Sequence, residues 1–145
     1  MRKTTTVIDT IVCHATVEPT MTGSISILRE RGNSYHYLID RDGTTIQCVS
    51  PVQAAFHAGK SKGPQGEGVN EYSIGIAFVN ENLPEKPIDQ VQIDTATELI
   101  QRLRAKFEDL KFVTTHANIS PGRKNDPVNF PVRELAVATG LDVWP

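Results

Sequence analysis

Residues 116–127, H-A-N-I-S-P-G-R-K-N-D-P, put an imidazole, an ammonium and a carboxylate on one short segment broken by proline and glycine. A β-rich run, F-V-T-T at 112–115, precedes it, so His116 stands where a strand ends and a loop begins. Loops held by a rigid strand are where reactive groups usually sit. His14 has a matching context: it ends the run I-V-C-H at 11–14 and, like His116, is followed by alanine. Two strands ending this way can bring both imidazoles to one sheet edge. Two neutral imidazoles and one carboxylate suit zinc, which in catalytic sites keeps three protein ligands and leaves a fourth position open. Zinc lowers the pKa of its water to about 7 and polarises a carbonyl, which is the chemistry of hydrolysis. Asp126 is the preferred third ligand. Cys13 and Cys48 are the alternatives, but Cys13 adjoins His14 on a strand and should point to the other face.

Lys124 lies two residues before Asp126, and in a locally extended loop both side chains share one side. An ammonium there can stabilise the oxyanion formed when water attacks an amide carbonyl. Arg123 points the other way and should anchor the loop. A lone strand-end histidine is ordinarily a satisfied polar group, and a lone lysine a solvated charge; the matched contexts set these apart. Of the other two histidines, His36 should face away from Tyr35 by strand alternation and be structural. His57, in F-H-A-G at 56–59, is placed to line a substrate groove.

The elements that must position these groups follow from periodicity. Residues 6–13 are rich in β-branched side chains and predict a strand. Residues 22–30 predict a short helix closed by Gly32. Two strands, 34–39 and 44–49, flank the Asp42-Gly43 turn, the strongest hairpin pattern in the chain. Residues 59–71, dominated by glycine, lysine and polar residues, predict an exposed, mobile loop. The run 73–79 is continuously apolar, as in strands buried on both faces. After Pro87 a long helix is expected, with Ile88, Val91, Ala96, Leu99, Ile100, Leu103, Phe107 and Leu110 on its apolar face and Gln92, Glu98, Gln101, Arg102 and Lys106 opposite. A last helix spans 131–138 and ends at Gly140. Strands and helices mix without a strict alternation, so the expected fold is α/β: a single domain, residues 1–145, with a central mixed β-sheet flanked by helices.

Composition narrows the function. The 145 residues carry a formal net charge of −2, with 39% hydrophobic and 22% charged residues, which gives no basic excess for nucleic acid. No apolar run approaches a membrane span, and the N-terminal residues lack the apolar stretch of a secretory signal. The expectation is a cytoplasmic protein acting as a monomer, with both cysteines reduced.

Five motifs make a family resemblance plain: I-V-C-H-A-T at 11–16, S-Y-H-Y-L-I-D-R-D-G at 34–43, F-H-A-G at 56–59, Y-S-I-G-I at 72–76 and T-H-A-N-I-S-P-G-R-K-N-D-P at 115–127. In this order they resemble the zinc-dependent N-acetylmuramoyl-L-alanine amidases of type 2, a group that includes phage lysozyme-like amidases, recycling amidases and peptidoglycan recognition proteins. The resemblance implies an amidase/peptidoglycan recognition protein-like fold and Zn2+ held by His14, His116 and Asp126. It implies Lys124 as the oxyanion-stabilising group and Tyr35 as the residue assisting proton transfer. The implied substrate is peptidoglycan or a muropeptide, cut between N-acetylmuramic acid and the stem peptide's L-alanine. One departure stands out: many relatives follow S-I-G-I with an acidic residue where this chain has Ala77.

The compact size resembles a phage endolysin, which accumulates in the cytoplasm and reaches the cell wall after release. A cytoplasmic anhydro-muropeptide recycling amidase is the nearest alternative. A non-catalytic peptidoglycan-binding module is the rival from another class, against which stand three filled ligand positions. Some short relatives also bind a phage RNA polymerase; no residue here independently points to that role.

Overall fold

The computed structural model describes residues 2, 3 and 5–145. Strand β1 (Thr10–Ala15) leads into helix α1 (Met21–Arg31), whose N-terminus is capped by the Thr20 hydroxyl accepting from Gly23 N and whose end is Gly32 at φ 68°. Strands β2 (Tyr37–Ile39) and β3 (Thr45–Gln47) form the expected hairpin, its turn closed by Gly43 N donating to Asp40 O at 2.9 Å with Gly43 at φ 90°. A small hairpin of β4 (Lys62–Gly63) and β5 (Gly66–Glu67) precedes β6 (Ser73–Phe78). Helix α2 (Gln90–Lys106), strand β7 (Phe112–Thr115), the short helix α3 (His116–Ile119), helix α4 (Val132–Thr139) and strand β8 (Asp142–Val143) complete the chain.

One six-stranded sheet, ordered β3-β2-β6-β1-β7-β8, carries the fold; β3 is antiparallel and every other pairing is parallel. Strand β1 lies between β6 and β7, so both of its edges are hydrogen-bonded and all six of its residues are buried. Alternation along β1 then divides the molecule. Ile11 and Cys13 enter a core with Ile74, Ile76 and Phe78 of β6 and Ile93, Leu99, Ile100 and Leu103 of α2. Val12 points to the other face, toward Ala58, Val69, Tyr72 and Ile119, and His14 shares Val12's parity. No helix among the described residues is long and apolar enough to cross a membrane.

The mixed sheet and its helices match the fold expected from the sequence, with several local corrections. Strand β1 starts later and runs two residues further than expected, so His14 sits inside the strand rather than at its end. His116 opens a helical turn instead of a loop, because the Thr115 hydroxyl accepts from Asn118 N and caps it. Residues 59–71 are not an open loop. Val69 and Tyr72 bury into the lower core, and the Tyr72 hydroxyl donates to Gly66 O at 2.7 Å, folding the polar stretch into the β4–β5 hairpin.

Helix α2 is shorter than expected, so Ile88, Phe107 and Leu110 join the core from the flanking segments, and its faces exchange two neighbours: Val91 is 44% exposed and Gln92 is fully buried. The Gln92 amide donates to Ile39 O at 3.0 Å and Val79 O at 3.2 Å, at the ends of β2 and β6, and accepts from Asp89 N. Strand β8 escaped the sequence reading because a two-residue strand carries no periodicity; Asp142 N donates to Lys111 O and Trp144 N to Val113 O. Both cysteines are free, Cys13 buried and Cys48 exposed.

Gln92→Leu should leave the Ile39 and Val79 carbonyls without that donor and cost about 1–3 kcal/mol, the range for stranded buried polar groups. Urea unfolding checks this; an unchanged midpoint would show that these carbonyls find water.

Candidate metal centre

Three residues from distant parts of the chain converge below a cleft. His14 projects from β1, His116 starts α3 beyond the end of the neighbouring β7, and Asp126 is drawn to the same point by two backbone contacts. Ala15 N donates to Asp126 Oδ2 at 3.2 Å, and Ala117 N donates to Asp126 O at 3.0 Å. His14 Nδ1 lies 3.1 Å from His116 Nδ1, His116 Nδ1 lies 3.1 Å from Asp126 Oδ1, and His14 Nδ1 lies 3.6 Å from Asp126 Oδ2. All three residues are buried.

The outward bonds determine what these atoms face one another with. The Ser73 hydroxyl has one hydrogen and gives it to Val69 O at 2.6 Å. Its oxygen is then an acceptor for His57 Nε2, 3.1 Å away, so His57 carries its hydrogen on Nε2. A neutral imidazole has only one N–H, which leaves His57 Nδ1 bare and able to accept from His14 Nε2 at 2.9 Å. His14 is therefore bare at Nδ1. On the other side, His116 Nε2 meets the Ala58 carbonyl at 3.1 Å, and a carbonyl only accepts. Neutral His116 is likewise bare at Nδ1.

Burial keeps His14 and His57 neutral. It lowers the His14 pKa to about 4 and holds His57 well below the ordinary imidazole range. With both ligand rings neutral, this hydrogen count leaves two imidazole lone pairs and a carboxylate pointing at one another across 3.1–3.6 Å with no hydrogen between them. A cation relieves all three contacts together. Two nitrogens, one oxygen and access from a cleft fit a zinc-type centre with an open position. Neither cysteine joins this cluster: Cys13 packs in the α2 core on the opposite face.

The cleft above has a volume of about 270 Å³. Tyr35 lines it, with its ring centroid 4.8 Å from that of His14. Burial first, and then the Asp126 charge, push the Tyr35 phenol far up, so it is a donor and not a base at neutral pH. Lys124 is exposed and lines the same cleft, but not through an extended loop. Residues 120–124 form a turn, with Lys124 N donating to Ser120 O at 3.0 Å, and the turn brings Lys124 and Asp126 to one side. His57 touches the cleft wall yet is 6% exposed, and both its nitrogens are engaged, so it supports His14 from beneath instead of offering a free edge to substrate. Val17 and Phe56 rim the cleft, 60% and 65% exposed, on pinned backbones; Val17 stands at φ 69°, unusual for a β-branched residue.

His36 is buried as expected, accepting from Gly75 N at Nδ1 and donating from Nε2 to Gln53 O. The supporting roles of Ser73, of His57 and of Asn70, whose Oδ1 accepts from His57 N and Ala58 N, were not read from the sequence. One cue was present: Gly75 interrupts an apolar strand, and such a glycine often marks a close approach. A Cβ there would lie 2.6 Å from the His57 ring.

The family model described as N-acetylmuramoyl-L-alanine amidase matches residues 4–129. The N-acetylmuramoyl-L-alanine amidase AmiD of Escherichia coli K12 is 30% identical over 157 aligned positions, covering 95% of this chain and 55% of that protein. The 1,6-anhydro-N-acetylmuramyl-L-alanine amidase AmpD of the same organism is 35% identical over 95 positions, covering 65% of this chain and 51% of that one. The chain therefore spans about half the length of these curated relatives. The solved complex of Escherichia coli AmiD with the substrate anhydro-N-acetylmuramic acid-L-Ala-D-γ-Glu-L-Lys superposes with a TM-score of 0.84 at 27% identity, over 100% of this chain and 63% of that one.

Ser73→Ala should weaken zinc binding about tenfold or more, as loss of such outer hydrogen-bond partners typically does. Competition against a chelator measures it. Affinity equal to wild type would mean that the His57 hydrogen is not held by Ser73.

Proposed function

The chain belongs to the N-acetylmuramoyl-L-alanine amidase family, and we propose that it is a zinc amidohydrolase cutting the amide between the lactyl group of N-acetylmuramic acid and L-alanine of the stem peptide. The observation that carries this proposal is the set of three hydrogen-free donor atoms, from His14, His116 and Asp126, at the floor of a cleft shared by Tyr35 and Lys124. When bound there, zinc supplies a polarised carbonyl and a water acidic enough to attack at neutral pH.

The chain's own residues do the rest. His14 and His116 present fixed lone pairs. Asp126 adds the negative charge of its carboxylate, held in place by the Ala15 and Ala117 backbone amides. The Lys124 ammonium, free to reach into the cleft, balances charge gathering on the carbonyl oxygen as the amide carbon becomes tetrahedral. The Tyr35 phenol keeps its proton and donates a hydrogen bond near His14, orienting the attacking water or the departing amine.

Two settings share this bond. A phage endolysin acting in host lysis would meet it in the intact wall, after leaving the cytoplasm. A recycling amidase would meet it in soluble 1,6-anhydro-muropeptides, the substrate named for the AmpD relatives. Rates on purified sacculi and on soluble anhydro-muropeptide separate the two.

Zinc-loaded protein should release stem peptides beginning with L-alanine from peptidoglycan, and chelation should abolish release. No release by loaded protein would sink the enzyme reading and favour a binding module. Lys124→Ala should retain zinc and lose about 10²–10³ in kcat, the usual effect of removing one oxyanion donor. Asp126→Ala should lose zinc; if it bound metal as tightly as wild type, the third ligand would lie elsewhere.

A further inference from the structure

We propose that Arg123 is a positioning residue for the metal centre: its guanidinium fixes the Ala58 carbonyl, and that carbonyl fixes the direction in which His116 points its free lone pair. The proposal rests on the metal reading above and adds a residue that does not touch the metal.

The geometry begins at Gly59. At φ +60° it turns the carbonyls on either side, Ala58 O and Lys60 O, toward one region. Arg123 fills that region. The two hydrogens of its Nη2 are shared among Ala58 O at 2.7 Å, Lys60 O at 3.0 Å and Ser120 Oγ at 3.1 Å, and its Nε donates to Lys60 O at 3.2 Å. Ser120 gives its own hydrogen to Lys60 O at 2.8 Å. A Cβ on Gly59 would stand 3.0 Å from Nη2, so the close approach also requires the glycine.

Ala58 O is thereby shared by two donors, Arg123 Nη2 and His116 Nε2. The other side of the residue is pinned too, since Ala58 N donates to Asn70 Oδ1 at 2.8 Å. A carbonyl held by a guanidinium is a fixed acceptor, and its fixed place keeps the His116 hydrogen on Nε2 and the lone pair on Nδ1. Without Arg123, Ala58 O can rotate and His116 can place its hydrogen on either nitrogen. The fraction carrying it on Nδ1 is unable to bind metal until it rearranges. Lysine cannot substitute, because one ammonium point charge does not reproduce a planar fork spanning two carbonyls.

The experiment compares wild type, Arg123→Lys and Ser120→Ala. Ser120→Ala loosens the same cluster without touching Ala58 O. Zinc affinity is measured by chelator competition, and the His116 tautomer of metal-free protein by ¹⁵N chemical shifts. Arg123→Lys should weaken zinc about tenfold to a hundredfold, as outer-contact losses do, and should move the His116 nitrogens from a single-tautomer to an averaged pattern. Ser120→Ala should leave the tautomer unchanged and cost far less affinity. Should Arg123→Lys fail to fold, Arg123→Met takes its place, keeping the reach of the side chain without any N–H donor, and the same loss of affinity and averaged His116 pattern are expected.

Wild-type zinc affinity with an unchanged His116 pattern in Arg123→Lys overturns the proposal. Equal losses in Ser120→Ala and Arg123→Lys overturn it too, because they would show general loosening of the loop. Wild-type protein that binds no zinc contradicts the metal reading instead, while the tautomer shift in metal-free Arg123→Lys still decides the role of Arg123.

Discussion

The single hydrogen of the Ser73 hydroxyl goes to the Val69 carbonyl, and the chemistry of the cleft depends on that choice. It makes the Ser73 oxygen an acceptor, which fixes the hydrogen of His57, which in turn fixes that of His14. Each step is forced by a count of hydrogens, given neutral rings. On the far side the Ala58 carbonyl does the same for His116. The two imidazoles are thus held with lone pairs converging on a buried carboxylate, an arrangement that is repulsive alone and attractive around a cation. Burial keeps His14 and His57, two links of this network, neutral at ordinary pH.

The sheet makes this convergence possible. Parallel pairing of β1 with β7 puts His14 and His116, 102 positions apart, within a hydrogen-bond length. Parallel pairing of β1 with β6 brings Gly75 beneath His57, where the missing side chain leaves room for the ring. The α2 face of the same sheet is largely apolar, with Gln92 as its buried polar exception, and anchors the strands. The face bearing His14 is covered instead by the folded 57–72 segment, whose polar groups serve the site.

Much of this was legible in the sequence because it depends on local pattern. His14 and His116 stood out through their matching strand contexts, and Asp126 through its place on the proline-punctuated loop. The buried β6 and the β2–β3 hairpin followed from hydrophobic continuity and the Asp42-Gly43 turn. What escaped depends on tertiary partners. Residues 59–71 look solvated by composition, yet Val69 and Tyr72 supply the anchors that fold them. Gln92 reads as a surface residue until the carbonyls of Ile39 and Val79 are seen to need its amide. His57 carries the same chemistry whether it faces substrate or backs a ligand, and only the positions of Ser73 and His14 distinguish the two. Lys124 reaches the cleft by a turn and not by alternation, an outcome that loop composition does not encode.

The most direct test of the central claim is X-ray absorption at the zinc edge on protein loaded with one equivalent of metal. Coordination through the bare nitrogens of His14 and His116 and the Asp126 carboxylate predicts only nitrogen and oxygen neighbours at about 2.0–2.2 Å, with the outer scattering of two imidazole rings. A sulfur neighbour at about 2.3 Å, or the absence of imidazole scattering, would contradict it.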